Sequence, residues 1–205
     1  MKIAVIGASG NVGSRVVAEA LRRRHHVTAL TRVEIDVIDT AALALLLSGH
    51  DVGVGATRQQ PGDEGRAAAV TMSLLDAHAA AGVRFLLVGG AGSLLVPGTD
   101  GRYVADDPNW VPTHIRDLAA SAIDQLMICR SHTRADWTYL SPAADMQPGI
   151  RSGVYRTGTD ELLVDEHGHS HLSMEDLAVA AIDEIEHPTH RNTRFTVATT
   201  GSRHE

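Results

Sequence analysis

The chain has 205 residues, 43% of them hydrophobic, and a formal net charge of -7. This length fits a single domain with one core. No apolar run is long enough to span a membrane, and the N-terminus does not resemble a cleavable leader, so we expect a cytoplasmic protein. The single cysteine, Cys129, excludes an internal disulfide. The acidic balance and scattered arginines argue against nucleic-acid and membrane partners and favour a small-molecule substrate. A homodimer is left open.

Short apolar runs alternate with helical patterns along the chain. Strands are predicted at Lys2–Ile6, Val27–Leu30, Val52–Gly55, Phe85–Val88, Trp137–Leu140 and Phe195–Val197. Helices are predicted from about Val12 to Leu21, from a cap at Thr40 to Gly49, from after Asp63 to Gly82, from about Ile115 to Ser131, and from a cap at Ser173. This alternation predicts right-handed βαβ units in a Rossmann-like, doubly wound parallel α/β fold.

Three glycines, Gly7, Gly10 and Gly13, lie where the first strand gives way to the first helix. In such a unit the first glycine allows a tight turn, the second lets the backbone approach a pyrophosphate, and the third allows close packing of helix and strand. Amide groups of the segment Ser9, Gly10, Asn11 and Val12 would then face the phosphates, at the positive end of the helix dipole. The pattern predicts dinucleotide binding; a turn that merely connects two elements is the alternative.

The residue after the second predicted strand indicates which dinucleotide is bound. An acidic residue there would favour NAD, whereas a cation accommodates the additional phosphate of NADP. The strand ends in Thr31-Arg32, and the guanidinium of Arg32 suits a phosphate. A solvated surface arginine is the alternative for Arg32, and Arg15 is either a second phosphate partner or solvent-facing. The sequence therefore favours NADP(H) over NAD(H).

Three motifs together carry a family resemblance. They are Gly7-Ala8-Ser9-Gly10-Asn11-Val12-Gly13, Val88-Gly89-Gly90-Ala91-Gly92-Ser93-Leu94 and Trp137-Thr138-Tyr139-Leu140-Ser141-Pro142-Ala143. This combination resembles the atypical short-chain dehydrogenase/reductases that include NADH-flavin reductases and relatives of biliverdin-IX-beta reductase. The resemblance implies an NAD(P)-binding fold with the nicotinamide near Ala56, Thr57, Gly89, Gly90 and Pro142, and with Asp36 bordering the adenine.

One segment departs from that family pattern. A parallel crossover needs a dozen or more residues, yet only a few separate the second predicted strand from Val33–Val37. Either the usual helix between strands two and three is therefore missing, or a segment of the protein is absent from this sequence. Either the second strand continues through Val37, or a short irregular edge replaces the third strand.

The resemblance implies that ordinary short-chain dehydrogenases use a catalytic Tyr-x-x-x-Lys motif. This chain has no such motif. The only lysine is Lys2, so the proton must come from another side chain, water or the substrate. Ser93 either hydrogen-bonds a carbonyl or caps a turn. Asp145 is either an acid, base or substrate anchor, or a solvated loop residue. Tyr103 and His114 belong to a long irregular stretch that is either a substrate lid or a surface loop.

Two segments, about 94–116 and 142–175, are expected to form the substrate side, where Trp110 would cover an aromatic substrate. His167, His169 and His171 alternate with other residues, but no acidic or cysteine partner is evident, so we expect a polar turn and no metal.

The function expected from these features is an NAD(P)H-dependent oxidoreductase that transfers hydride to a planar conjugated acceptor, such as a flavin or a quinone. Two alternatives stay open. One is a non-catalytic NAD(P)-sensing regulatory protein. The other is a repurposed isomerase, cyclase or dehydratase of a secondary pathway that uses Asp145.

Overall fold

The computed structural model describes residues 1–31, 33, 36–57 and 64–201. The helices within them are α1 (Asn11–Arg22), α2 (Thr40–Leu47), α3 (Ala67–Ala81), α4 (Arg116–Ser131) and α5 (Met174–Glu186). The strands are β1 (Lys2–Ile6), β2 (His26–Leu30), β3 (Val52–Gly55), β4 (Arg84–Val88), β5 (Trp137–Ser141), β6 (Asp145–Gln147), β7 (Tyr155–Gly158), β8 (His171–Ser173) and β9 (Thr193–Thr199).

Seven of these strands form the central sheet, in the order β2-β1-β3-β4-β5-β9-β7. Every neighbouring pair is parallel except β7 with β9, which is antiparallel. Strands β6 and β8 pair in parallel as a separate small sheet. The predicted Rossmann-like α/β fold is confirmed, and the six predicted strands are all present. No helix among the described residues has both the length and the apolar character needed to cross a bilayer.

The sheet has an apolar layer on each face because successive side chains of a strand point in opposite directions. Ile3 and Val5 of β1 belong to the core cluster that also contains residues of α1 and α5. Ala4 and Ile6 belong to the cluster that contains residues of α2, α3 and α4. Both faces of the central strands are therefore buried, which explains why these strands read as continuous apolar runs.

Residues 36–39, directly before α2, form a turn. Strand β2 ends at Leu30, so the expectation that it continues through Val37 is wrong. The Asp36 carboxylate accepts a hydrogen bond from the Ile38 amide (3.2 Å), which fixes a tight turn at this point. The cap of α2 is Asp39 and not the predicted Thr40, because the Asp39 carboxylate accepts from the Ala42 amide (3.0 Å).

The start of α5 is capped as predicted. The Ser173 hydroxyl accepts a hydrogen bond from the Asp176 amide at 3.0 Å. The Asp176 carboxylate accepts from the Ser152 hydroxyl (2.6 Å) and from the Gly153 amide (2.8 Å). The first turn of α5 therefore also holds the loop that leads into β7.

A histidine is fully buried between α3 and the sheet. His78 stacks on Phe85, with ring centroids 4.1 Å apart, and its Nδ1 lies 2.6 Å from the Leu74 carbonyl oxygen. The ring fits because the facing strand residue is Gly53, where an added Cβ would lie 2.0 Å from Nε2. Burial lowers the pKa of His78 from 6.5 to about 4, because the charged form would lose its hydration.

We predict that His78 makes the fold sensitive to acid. The unfolded imidazole takes up a proton near pH 6.5, whereas the folded one does so only near pH 4, so stability decreases as the pH falls between these values. The loss at pH 4 amounts to about 3 kcal/mol. Urea unfolding across this range should show that slope in the wild type and a flatter one in His78→Leu. The exposed His26, changed to Gln, is the control and should keep the wild-type slope.

Candidate functional site

The turn between β1 and α1 is built on glycine. Gly7 has a φ of +84°, and an added Cβ there would lie 2.6 Å from the Ala56 carbonyl oxygen. A Cβ at Gly13 would lie 2.1 Å from the Gly7 carbonyl oxygen, so only glycine allows α1 to approach the turn this closely. Gly10 precedes α1 and provides no side-chain cap. The amides of the first turn of α1 therefore lack a side-chain acceptor, an arrangement that fits a diphosphate.

A cavity of about 310 Å³ lies beside this turn, at the carboxyl ends of the central strands. Its wall includes Val12 from α1, residues that follow β3, β4 and β5, part of α4, and part of the segment before α4. Ligands of doubly wound sheets bind at this end of the strands. The cavity therefore continues from the glycine turn toward α4 as one candidate site.

Most of the predicted cofactor residues surround this site. Gly7, Ser9, Gly10, Asn11 and Gly13 form the turn and the start of α1. The predicted residues on the cavity wall are Val12, Ala56, Thr57, Gly89, Gly90 and Pro142.

The remaining predicted cofactor partners are Arg32, Asp36 and Arg15, which were expected to bind phosphate or adenine. Arg32 lies outside the described residues. Asp36 is exposed in the turn before α2 and does not line the cavity. The guanidinium of Arg15 donates to the Glu175 carboxylate (2.5 Å) and to the Asn11 carbonyl oxygen (2.7 Å), so it is occupied within the protein.

None of the four predicted catalytic side chains lines the cavity. Ser93 is fully buried, and its hydroxyl lies 3.4 Å from the Gly90 carbonyl oxygen. Tyr103 forms a β-bridge with Leu95, and His114 is exposed in the turn before α4. Asp145 is on β6, where its carboxylate lies 3.5 Å from His171 Nδ1 and accepts from the Gln147 amide (2.9 Å). These residues stay predictions, and the structure brings none of them to the wall.

The histidine-rich segment forms a turn around one carboxylate. Asp165 accepts hydrogen bonds from the backbone amides of His167 (2.9 Å) and His169 (2.8 Å). These amides hold the pKa of Asp165 below its usual value. Within residues 1–31, 33, 36–57 and 64–201, no group of three or more His, Cys, Asp or Glu residues is arranged to hold a metal.

The segment before α4 forms one wall of the cavity. Its Leu95 pairs with both Tyr103 and Glu161 through isolated β-bridges. Val104, Trp110 and Val111 line the cavity, and Val104 and Val111 are buried with Leu94 and Leu162 in a small core of their own. Trp110 therefore lies where an aromatic ligand would meet it.

A further part of the wall is the N-terminal half of α4, which lies outside the segments predicted for the substrate side. Its lining residues are Leu118, Ala119, Ser121, Ala122 and Gln125. Positions 118, 122 and 125 have the spacing of one helical face, and this spacing can be read from the sequence. Gly92 fixes the packing, because an added Cβ there would lie 2.0 Å from the Ala119 carbonyl oxygen.

A buried arginine holds the turn that follows β4. Arg194 of β9 is 5% exposed, and its guanidinium donates to the Ser93 carbonyl oxygen at 2.7 Å. The same guanidinium forms an ion pair with Asp160. The Asp160 carbonyl oxygen accepts from the Leu95 amide (2.9 Å), so Arg194 links β9, the turn at Ser93 and the wall at Leu95.

Comparison with known proteins places this site in a family. The model of the NAD(P)H-binding family matches residues 7–188, and the chain belongs to that family. It is 37% identical to protein YwnB of Bacillus subtilis, over 96% of this chain and 98% of YwnB. The resemblance to atypical short-chain dehydrogenase/reductases of the NADH-flavin reductase type is thereby confirmed, and the family's ligand is a nicotinamide cofactor.

Two solved structures extend the comparison. A Bacteroides thetaiotaomicron protein described as an epimerase is 37% identical, with a TM-score of 0.89 and coverage of 99% of both chains. SP1627 of Streptococcus pneumoniae, described as an NADH-flavin reductase, is 29% identical, with a TM-score of 0.88, and the match covers 98% of this chain and 100% of SP1627. The family is thus one of NAD(P)H-binding oxidoreductases.

We predict that Gly13→Ala weakens NADPH binding by about tenfold or more, because the new Cβ forces α1 away from the turn. Calorimetric titration with NADPH measures the affinity, and circular dichroism checks that the variant folds. Gly65→Ala is the matched control, because nothing lies within 4 Å of a Cβ added at Gly65. Equal affinities for Gly13→Ala and the wild type would contradict the assignment of the turn.

A second substitution tests the role of Arg194. Arg194→Leu removes the donor from the Ser93 carbonyl oxygen, and we expect it to lower the free energy of unfolding by about 2 kcal/mol. Arg191, whose side chain is 62% exposed in its ion pair with Asp136, is the control. Arg191→Leu should cost less than about 1 kcal/mol. Urea unfolding measures the stability of both variants. Similar losses of unfolding free energy in the two would contradict the stabilising role of Arg194.

Proposed function

We propose that the protein is an NADPH-dependent reductase that transfers hydride to a planar conjugated acceptor such as a flavin or a quinone. The observation that carries the proposal is the chemistry of the cavity wall. None of the described residues that line the cavity has an ionisable side chain, and most of them are apolar.

An acceptor that needs a side-chain acid would find none among the described residues of this wall. A bound reduced nicotinamide supplies a hydride, which is a proton together with two electrons. A ketone that takes the hydride becomes an alkoxide and needs a proton within the site. A quinone or flavin delocalises the negative charge over its conjugated system and can take its proton from water afterwards. The wall described above is therefore suited to acceptors of the second kind.

The only tyrosine buried beside the cavity is not suited to be that acid. Tyr139 lies beneath Gly89 and does not line the cavity. Burial raises the pKa of its hydroxyl well above the usual value of 10, which disfavours release of the proton. Cys129 is likewise buried, and burial raises the pKa of its thiol to about 12.

The residues that hold the cofactor in this proposal are those of the glycine turn. The amides at the start of α1 bind the diphosphate, and Ala56, Thr57, Gly89, Gly90 and Pro142 border the nicotinamide half. The Thr57 hydroxyl oxygen is buried and has no hydrogen-bond partner within the described part of the chain, which supports a polar ligand group beside it. The preference for NADPH rests on Arg32 and its position in the sequence after β2.

The test is oxidation of NADPH, followed at the nicotinamide absorbance band, with menadione or FMN as the acceptor. Arg32→Ala should raise the KM for NADPH by about tenfold, the value of one lost charge-assisted hydrogen bond. The KM for NADH should change by less than about twofold. Arg191→Ala, which removes an exposed arginine in the segment before β9, serves as the charge control and should leave both KM values unchanged.

Two outcomes would contradict the proposal. Tight NADPH binding without oxidation by any quinone or flavin would favour a cofactor-sensing protein. Equal effects of Arg32→Ala on NADPH and NADH would remove the preference for NADPH while leaving the reductase activity intact.

A further inference from the structure

Helix α4 contributes one side-chain amide to the mostly apolar cavity wall. Gln125 is 8% exposed and lines the cavity. Its neighbours on this helical face are Leu118, Ala122 and Ser121, and Ser121 is the polar one among them. A side-chain amide carries both a donor and an acceptor, and each needs a hydrogen-bond partner in an apolar wall. The partners of Gln125 therefore indicate what the site is built to receive.

The protein supplies a partner for only one end of this amide. The Tyr139 hydroxyl has one proton, which it donates in a bifurcated hydrogen bond to the Ala122 carbonyl oxygen (3.1 Å) and to the Gln125 side-chain oxygen (3.4 Å). The same hydroxyl oxygen accepts from the Gly90 amide (3.4 Å). Tyr139 is fully buried, so its hydroxyl is a fixed reference for the amide. Within the described residues no acceptor is bonded to the Gln125 NH₂ group.

The other polar side chains on the wall are less suited to donate to a ligand. The Ser121 hydroxyl donates to the Leu118 carbonyl oxygen within α4, at 2.7 Å. The Thr57 hydroxyl oxygen is buried in the loop after β3 and does not belong to α4. On the α4 wall, the Gln125 NH₂ group is therefore the side-chain donor left for a ligand in the described structure.

We propose that Gln125 selects the acceptor by donating a hydrogen bond from its NH₂ group to a carbonyl oxygen of the substrate, with Tyr139 as the residue that positions the amide. This inference rests on the proposed reductase function and narrows it to acceptors that carry a carbonyl conjugated with the ring system. Such an oxygen gains negative charge as the hydride is transferred, so the hydrogen bond strengthens in the transition state.

The experiment compares an acceptor that has carbonyl groups with one that lacks them. Menadione has two ring carbonyls, and phenazine methosulfate has none. In Gln125→Met, which keeps the length of the side chain, we expect kcat/KM for menadione to fall by about tenfold, the value of one hydrogen bond. We expect kcat/KM for phenazine methosulfate and the KM for NADPH to change by less than about twofold. Ser131→Ala is the control, because the Ser131 hydroxyl is exposed at the end of α4, donates to the Ile128 carbonyl oxygen and does not line the cavity; it should behave as the wild type with both acceptors.

A double-mutant cycle tests the positioning role of Tyr139. Tyr139→Phe should lower kcat/KM for menadione when it is made in the wild-type background. It should have little further effect in the Gln125→Met background, because the amide that Tyr139 positions is absent there. Independent losses in the two variants would overturn the positioning role. Equal losses with menadione and phenazine methosulfate in Gln125→Met, or no loss with menadione, would overturn the recognition role.

Binding measurements separate this inference from the proposed function. Quenching of tryptophan fluorescence by menadione reports occupancy of the cavity, because Trp110 lines it. If no acceptor oxidises NADPH, the reductase function fails; menadione binding that weakens about tenfold in Gln125→Met would still support carbonyl recognition. If the wild type neither reduces nor binds menadione, the assignment of Gln125 is overturned as well.

Discussion

The close contact between the start of α1 and the end of β1 is the constraint on which the site depends. A Cβ at Gly13 would lie 2.1 Å from the Gly7 carbonyl oxygen, so helix and turn touch through backbone alone. This contact directs the uncapped amides of α1 toward the carboxyl ends of the central strands. Binding of a nicotinamide nucleotide follows from that direction, and the cavity beyond the turn is where a second molecule can meet it.

The described part of the cavity wall has no charged side chain and is closely packed at the turn after β4. Gly90 and Gly92 let α4 lie against the turn after β4, and Arg194 holds the same turn from the side of β9. Rigid packing of this kind orients a ligand, which accelerates a reaction without any acid or base. A wall that positions its ligands but transfers no proton is consistent with hydride transfer between two conjugated rings.

Local pattern was sufficient to predict the main sheet and the glycine turn, but not the elements that depend on distant partners. Five of the six predicted strands are mostly buried, and only β2 is largely exposed, whereas β6, β7 and β8 are three or four residues long and mostly polar. They form because Asp145 pairs with His171 and Tyr155 with Thr199. Gln125 was missed for a related reason: the helix was predicted, but the face that meets the cavity is set by contact with Gly92. Ser93 looked catalytic in the sequence, although its backbone oxygen accepts from Arg194.

Two glycines of neighbouring strands leave room for rings that come from elsewhere in the chain. His78 fills the space beside Gly53, and the Tyr139 ring lies 2.0 Å from where a Cβ of Gly89 would be. Neither position can acquire a side chain unless the corresponding ring is made smaller at the same time. A change in the shape of the cavity is therefore easier to make on α4, or in the segment that carries Trp110, than at Gly89.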